Sequence, residues 1–319
     1  SVAWRFLNSL WIVFIIIGAT AFKIGTFSAD FWGANSDLGT TLTQVKAMML
    51  VTVWVFIGVE GASVFSERAR ERRDVGRATI TGFASVLALL LLVNLLSYGI
   101  APREDIAELD DPSMSGVLTE AVGPWGAKFI AAGLAISLIG ALLSWFLMCA
   151  EILRVPALDG TMPRWFSREN KNGTPVGAMW LTSGMIQLVL IWTYFVGSNY
   201  TRLILLASAL ILIPYLFSAA FHLINSFRNR ERSGIGNIII GTLGTAYAIW
   251  LLYAAGPTYL LFVGLFYLAG TPFYIVARKQ AGEKIFTTID WIVLAIFSLT
   301  SVYAIYGLYM GFYADALSG

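Results

Sequence analysis

The side chains that carry covalent and metal chemistry are nearly missing from this chain. Of 319 residues one is cysteine, Cys149, and one is histidine, His222. A single thiol excludes an internal disulfide and a cysteine-rich metal site. A lone imidazole excludes a histidine cluster. The two lie in different apolar segments, so no nucleophile–base pair can be assembled from them. No GxxxxGK[ST] loop occurs, which argues against a nucleotide-driven pump. Nothing in the sequence implies a cofactor or an enzyme. Charge is scarce as well, at 13% of residues against 58% apolar, whereas soluble domains carry about 25% charged residues. What remains is the composition of an all-α integral membrane protein.

A helix needs about 20 mostly apolar residues to cross the hydrocarbon layer. Nine such segments are legible, roughly 5–23, 46–65, 78–100, 127–151, 176–196, 202–225, 235–254, 257–277 and 290–310. Their connections alternate in charge. Ser66–Arg77 holds five arginines, Arg154–Pro175 adds Arg154, Arg164, Arg168 and Lys171, and the later loops add Arg228, Arg230, Arg232, Arg278, Lys279 and Lys284. The opposite side has Lys23, Lys46, Arg103, Lys128 and Arg202, together with the acidic stretch Arg103–Asp111. The excess of arginine and lysine predicts that the arginine-rich loops face the cytoplasm and that the C-terminus lies outside. The run Arg68–Arg77 is read as a topology signal and a contact for anionic lipid, not as a nucleic-acid patch. A start at Ser1 and an odd number of spans point to a chain whose N-terminal part is absent.

The stretch Met48–Phe65 stands apart. It is apolar enough to span, yet Gly58, Glu60 and Gly61 sit in its middle. An ionised carboxylate at membrane depth costs several kcal/mol unless it meets water, a partner or a substrate. Two glycines three apart weaken the helix there and free backbone groups. Trp54, Ile57, Glu60 and Gly61 fall on one broad face of an ideal helix. Glu60 is read as a counter-charge or proton switch beside a cationic substrate; an ion pair that holds the bundle is the alternative.

Other polar or aromatic positions within spans are weaker signals. Trp145 lies mid-span, where its indole N–H needs a partner and its face can hold a cation; a packed core tryptophan is the competing reading. Glu151 has Arg154 at i+3 and is read as a structural pair. Asn94, Ser97, Ser183 and Gln187 are expected to bond between helices. Ser208 is a further site candidate. Pro214, six residues later, is expected to free a carbonyl one turn earlier and to kink its helix.

Three elements in order carry a family resemblance. WVFIGVEGAS at Trp54–Ser63, followed by Gly76-Arg77-Ala78-Thr79, resembles the sixth helix and following loop of basic amino acid antiporters of the amino acid–polyamine–organocation superfamily. LDGTMPRWFSRENKNGTPV at Leu158–Val176 resembles the loop after their eighth helix, and Pro214-Tyr215-Leu216 an element of their tenth. FKIGTFSADFW after the first span points to the arginine/ornithine branch. The resemblance implies a LeuT-like fold of two inverted five-helix repeats, with the nine spans standing for helices five to twelve plus one. Residues 1–25 would hold the last helix of the first repeat, 44–225 the second repeat and 233–319 accessory helices, all within one transmembrane domain. It implies that Trp54 and Trp145 stack on substrate, that Ile57 lines the pocket and that Glu60 couples or gates. Ser208 stands near the binding serine, without a clean match. The function implied is exchange of arginine for ornithine across the bacterial inner membrane by alternating access; a proton-coupled lysine or polyamine permease is the rival. The partners implied are a cationic amino acid and the lipid bilayer, with no nucleic acid, and with a homodimer left open.

Overall fold

The computed structural model describes residues 18, 20–29, 31–32, 39–66, 69–196 and 200–310. Among these, regular structure is helical, apart from one antiparallel bridge between Glu169 and Pro175. The helices are α1 (Ile24–Ser28), α2 (Thr41–Phe56), α3 (Gly61–Val64), α4 (Arg72–Ile100), α5 (Arg103–Ala107) and α6 (Ser113–Val122). They continue as α7 (Trp125–Leu158), α8 (Val176–Val196), α9 (Tyr200–Arg228), α10 (Arg230–Ala281) and α11 (Thr288–Tyr309), with a 3-10 turn at Arg164–Ser167.

Among the described residues, seven helical runs are long and apolar enough to cross a membrane. They differ from the nine expected spans in two ways. Most of the expected first span, 5–23, lies outside the described residues. The expected spans 235–254 and 257–277 form one run, α10, whose backbone leaves the helical region at Gly256, with φ 78° and ψ 162°. At 1.5 Å per residue its apolar part of 48 residues would be about 72 Å long if straight. That is more than twice the hydrocarbon thickness, so the Gly256 break, followed by Pro257, divides it into two lengths that each suit one crossing.

The chain divides into two compact units. One comprises Ser1–Thr41 and Val59–Leu147, the other Leu42–Gly58 and Met148–Gly319. In the first, α1 and α3 both lie against α4, and α6 lies against α4 and α5. The Lys23 N–H donates to the Gly99 carbonyl at 2.8 Å. A side chain at Gly99 would collide with the Phe22 ring, so this glycine permits the close approach. Asn94 and Ser97, expected to bond between helices, bond within their own: Asn94 Nδ2 donates to the Leu90 carbonyl and Ser97 Oγ to that of Val93, both at 2.8 Å. Their helix offers an acceptor one turn back, which meets the polar group locally.

The second unit holds two cores. Leu50 and Val53 of α2, Ala209 and Leu212 of α9, and Leu251, Ala255 and Val263 of α10 are buried together. Ala150 and Ala157 of α7, Phe166 of the 3-10 turn and Ala178 of α8 form the other, with Phe273 of α10 packed on it. Helix α9 runs from Tyr200 to Arg228 without interruption, with Pro214 inside it.

Candidate functional site

The interruption of the Met48–Phe65 stretch is resolved residue by residue. Helix α2 ends at Phe56, and the Ile57 N–H is shared between the carbonyls of Val53 at 3.0 Å and Trp54 at 3.2 Å. Gly58 then takes φ 100°, a conformation that residues with a Cβ rarely adopt. Glu60 is helical in backbone, and its carbonyl accepts from the N–H groups of Ser63 at 2.7 Å and Val64 at 3.2 Å, which starts α3. Gly61 is the first residue of that turn.

This geometry corrects the single-face expectation. Leu50 and Val53 of α2, with Ile57 just beyond its end, are spaced i, i+3, i+7 and form the stripe that meets the core. Trp54, one residue round from Val53, is half-buried. Because the helix stops before Gly58, the helical face does not extend to Glu60 and Gly61. The second unit therefore holds Trp54, Ile57, Gly58 and Ser208, and the first holds Glu60, Gly61 and Trp145.

Each remaining candidate has a plain local setting. Ser208 has no exposed surface, and its hydroxyl donates to the Ile204 carbonyl of its own helix at 2.8 Å. Trp145 is 39% exposed on α7, one residue after Ser144, which bonds back to the Gly140 carbonyl at 3.0 Å. Glu60 is half-buried.

The long motif Leu158–Val176 is explained at several positions by how the segment closes on itself and on its neighbours. Gly160 at φ 78° ends α7, and the Thr161 and Met162 N–H groups reach back to the Pro156 carbonyl at 2.9 and 3.2 Å. This is a helix C-terminus closed by a left-handed glycine. Asn170 Oδ1 accepts from the N–H groups of Asn172 at 2.9 Å and Thr174 at 3.0 Å, and Gly173 supplies a second positive φ of 72°. The Asn-x-x-Gly spacing is thus the chemistry of a tight turn. Phe166 is fully buried and its ring lies 5.9 Å from that of Phe273. The Arg164 N–H donates to Gln280 Oε1 at 2.8 Å.

Sequence reasoning found half of the ion network here. Arg154 Nη1 meets Glu151 at 3.0 Å as expected, but Arg154 Nε also meets Glu169 at 2.7 Å. The Glu151 side chain is only 4% exposed, and the Arg154 guanidinium lies against it. Fifteen residues separate Arg154 from Glu169, and no helical spacing links them; the chain between them leaves α7 at Gly160 and passes through the 3-10 turn Arg164–Ser167.

Long apolar helices, one of them broken beside a carboxylate, make this a polytopic helical membrane protein. The profile of the amino acid permease family matches residues 6–307, and the chain belongs to that family. It is similar to the arginine/ornithine antiporter of Pseudomonas aeruginosa, at 47% identity over 312 residues, covering 94% of this chain and 65% of that protein. It is 35% identical over 316 residues to the L-lysine transport protein of Corynebacterium glutamicum, covering 93% of this chain and 63% of that one. It is 38% identical over 309 residues to the arginine/agmatine antiporter of Chlamydia pneumoniae, covering 92% and 63%. The chain thus spans a little under two thirds of the length of these relatives.

Proposed function

We propose that this chain belongs to a secondary antiporter that exchanges cationic amino acids, arginine for ornithine, across the bacterial inner membrane. The observation that carries the reading is the interrupted helix at Ile57–Glu60, which puts a carboxylate and non-helical backbone inside a 24-residue apolar run. Such a break in a membrane helix is the usual form of a transporter's midplane site. The resemblance to antiporters of arginine supports the substrate class proposed.

In this reading Trp54 and Trp145 stack on the guanidinium or the aliphatic stem of the substrate. A cation over a desolvated aromatic face contributes about 2 kcal/mol. Ile57 lines the pocket and Ser208 is its polar neighbour. Glu60 offsets the substrate's charge or takes up a proton when the site empties, and the Gly58–Gly61 segment is the hinge. The architecture proposed is the LeuT-like pair of inverted repeats, with 44–225 as the second repeat, the arginine-rich loops cytoplasmic and the C-terminus periplasmic. The similarity to a lysine transport protein keeps a second reading in view, a proton-coupled permease for lysine or a polyamine.

Efflux of preloaded labelled arginine from proteoliposomes tests the two readings. Antiport requires external ornithine for efflux, whereas efflux that proceeds without an exchange partner and follows an imposed pH gradient supports the permease. In the same vesicles Glu60→Ala is expected to change the exchange rate or its pH dependence at normal protein yield. Unchanged exchange across pH removes Glu60 from the mechanism.

A further inference from the structure

Proline in a membrane helix leaves one carbonyl without its helical donor, and a neighbouring helix must supply another. In α9 the carbonyl four residues before Pro214 is that of Leu210. The hydroxyl of Tyr267, 57 residues further along the chain in α10, donates to it at 3.2 Å. The ring of Tyr267 is held independently of that bond, 5.2 Å from the ring of Phe297 in α11 and against the core that contains Ala209 and Leu212. Helix α9 remains unbroken through Pro214. The other outcome is seen within the same unit, where the backbone before Pro257 leaves the helix at Gly256.

We propose that Tyr267 is a positioning residue: by holding the Leu210 carbonyl that Pro214 releases, it fixes the turn of α9 that presents Ser208. Ser208 is two residues before Leu210, fully enclosed, and bonded to the Ile204 carbonyl at 2.8 Å, so its placement follows the backbone of this turn. Without the tyrosine hydroxyl, the bare carbonyl tilts toward another donor and carries the 208–210 turn with it. The role of Ser208 in this inference rests on the transport reading above; the bond between Tyr267 and the released carbonyl does not.

Two mutant cycles test it, read as KM and maximal rate for arginine uptake into ornithine-loaded vesicles. Tyr267→Phe keeps the ring and removes only the donor. It is expected to raise KM about five-fold, the worth of one net hydrogen bond, with the maximal rate within about two-fold. Pro214→Ala restores an N–H to the Leu210 carbonyl, so Tyr267→Phe in that background is expected to leave KM unchanged. In a Ser208→Ala background Tyr267→Phe is likewise expected to have no further effect on KM, and this cycle decides the matter if Pro214→Ala does not fold. Equal losses in the parent and in either background overturn the proposal, as does a Tyr267→Phe protein that melts earlier with its KM unmoved. If the parent protein shows no exchange, the transport reading fails by itself. The Tyr267 and Pro214 substitutions are then compared by melting in detergent, where non-additive losses support the latch and additive losses overturn it.

Discussion

Two glycines with positive φ interrupt apolar helical runs here, and they do different things. Gly58 and Gly256 have φ of 100° and 78°. The first interrupts a run of 24 residues, about 36 Å and close to one bilayer crossing. The second interrupts a run of 48, enough for two. By length alone, one break falls within the membrane and the other at its edge. Packing separates them further. Leu251 and Ala255 before Gly256 share a core with Val263 after it, whereas the boundary between the two units falls immediately after Gly58. Glu60 follows the first break and Pro257 the second. A glycine break is therefore a turn when one core encloses both its sides and a candidate hinge when it ends a unit.

Substitution at the two glycines puts this contrast to its strongest test. Gly58→Val, which forces a β-branched residue into a left-handed backbone, is expected to cut exchange in vesicles at least ten-fold at normal membrane yield. Gly256→Ala carries a similar backbone penalty of about 1–3 kcal/mol, but is expected to lose it as thermal stability in detergent, with exchange per folded molecule within about two-fold. Matching behaviour of the two variants would dissolve the distinction. A smaller effect, read by thiol labelling in a Cys149→Ala background, sharpens it. Thr258→Cys should react quickly with a membrane-impermeant reagent from one side, and Val59→Cys slowly and less in the presence of arginine. The smallest change is expected for Pro257→Ala, below about 1 kcal/mol in a melting measurement, because Gly256 already takes the chain out of the helix.

These contrasts also mark what could be read in advance. The glycine–carboxylate stretch was legible because two weak helix formers flank a charge inside an apolar run, and the break lies there. The shared face of Trp54 and Glu60 was not, because the helical wheel assumes the continuity that Gly58 removes. Asn94 and Ser97 were expected to reach other helices, and a pattern of polar residues cannot tell such a bond from one to the carbonyl four residues back. Pro214 announced a carbonyl in need of a donor. Nothing local named Tyr267, which reaches it only after Gly256 has turned the chain. The partnership of Arg154 with Glu169 depended in the same way on the path from Gly160 to Ser167, which leads into the closed turn at Asn170–Thr174.

That closed turn has a practical consequence. Between Gly160 and Val176 the chain is capped at one end, folded on an asparagine side chain at the other, and fastened to α10 by Phe166 and Gln280. A surface feature so firmly attached makes a good grip. An antibody fragment raised against it would hold α8 and the last turns of α7 in a fixed orientation, giving a fiducial for imaging a molecule whose bulk is concealed by detergent.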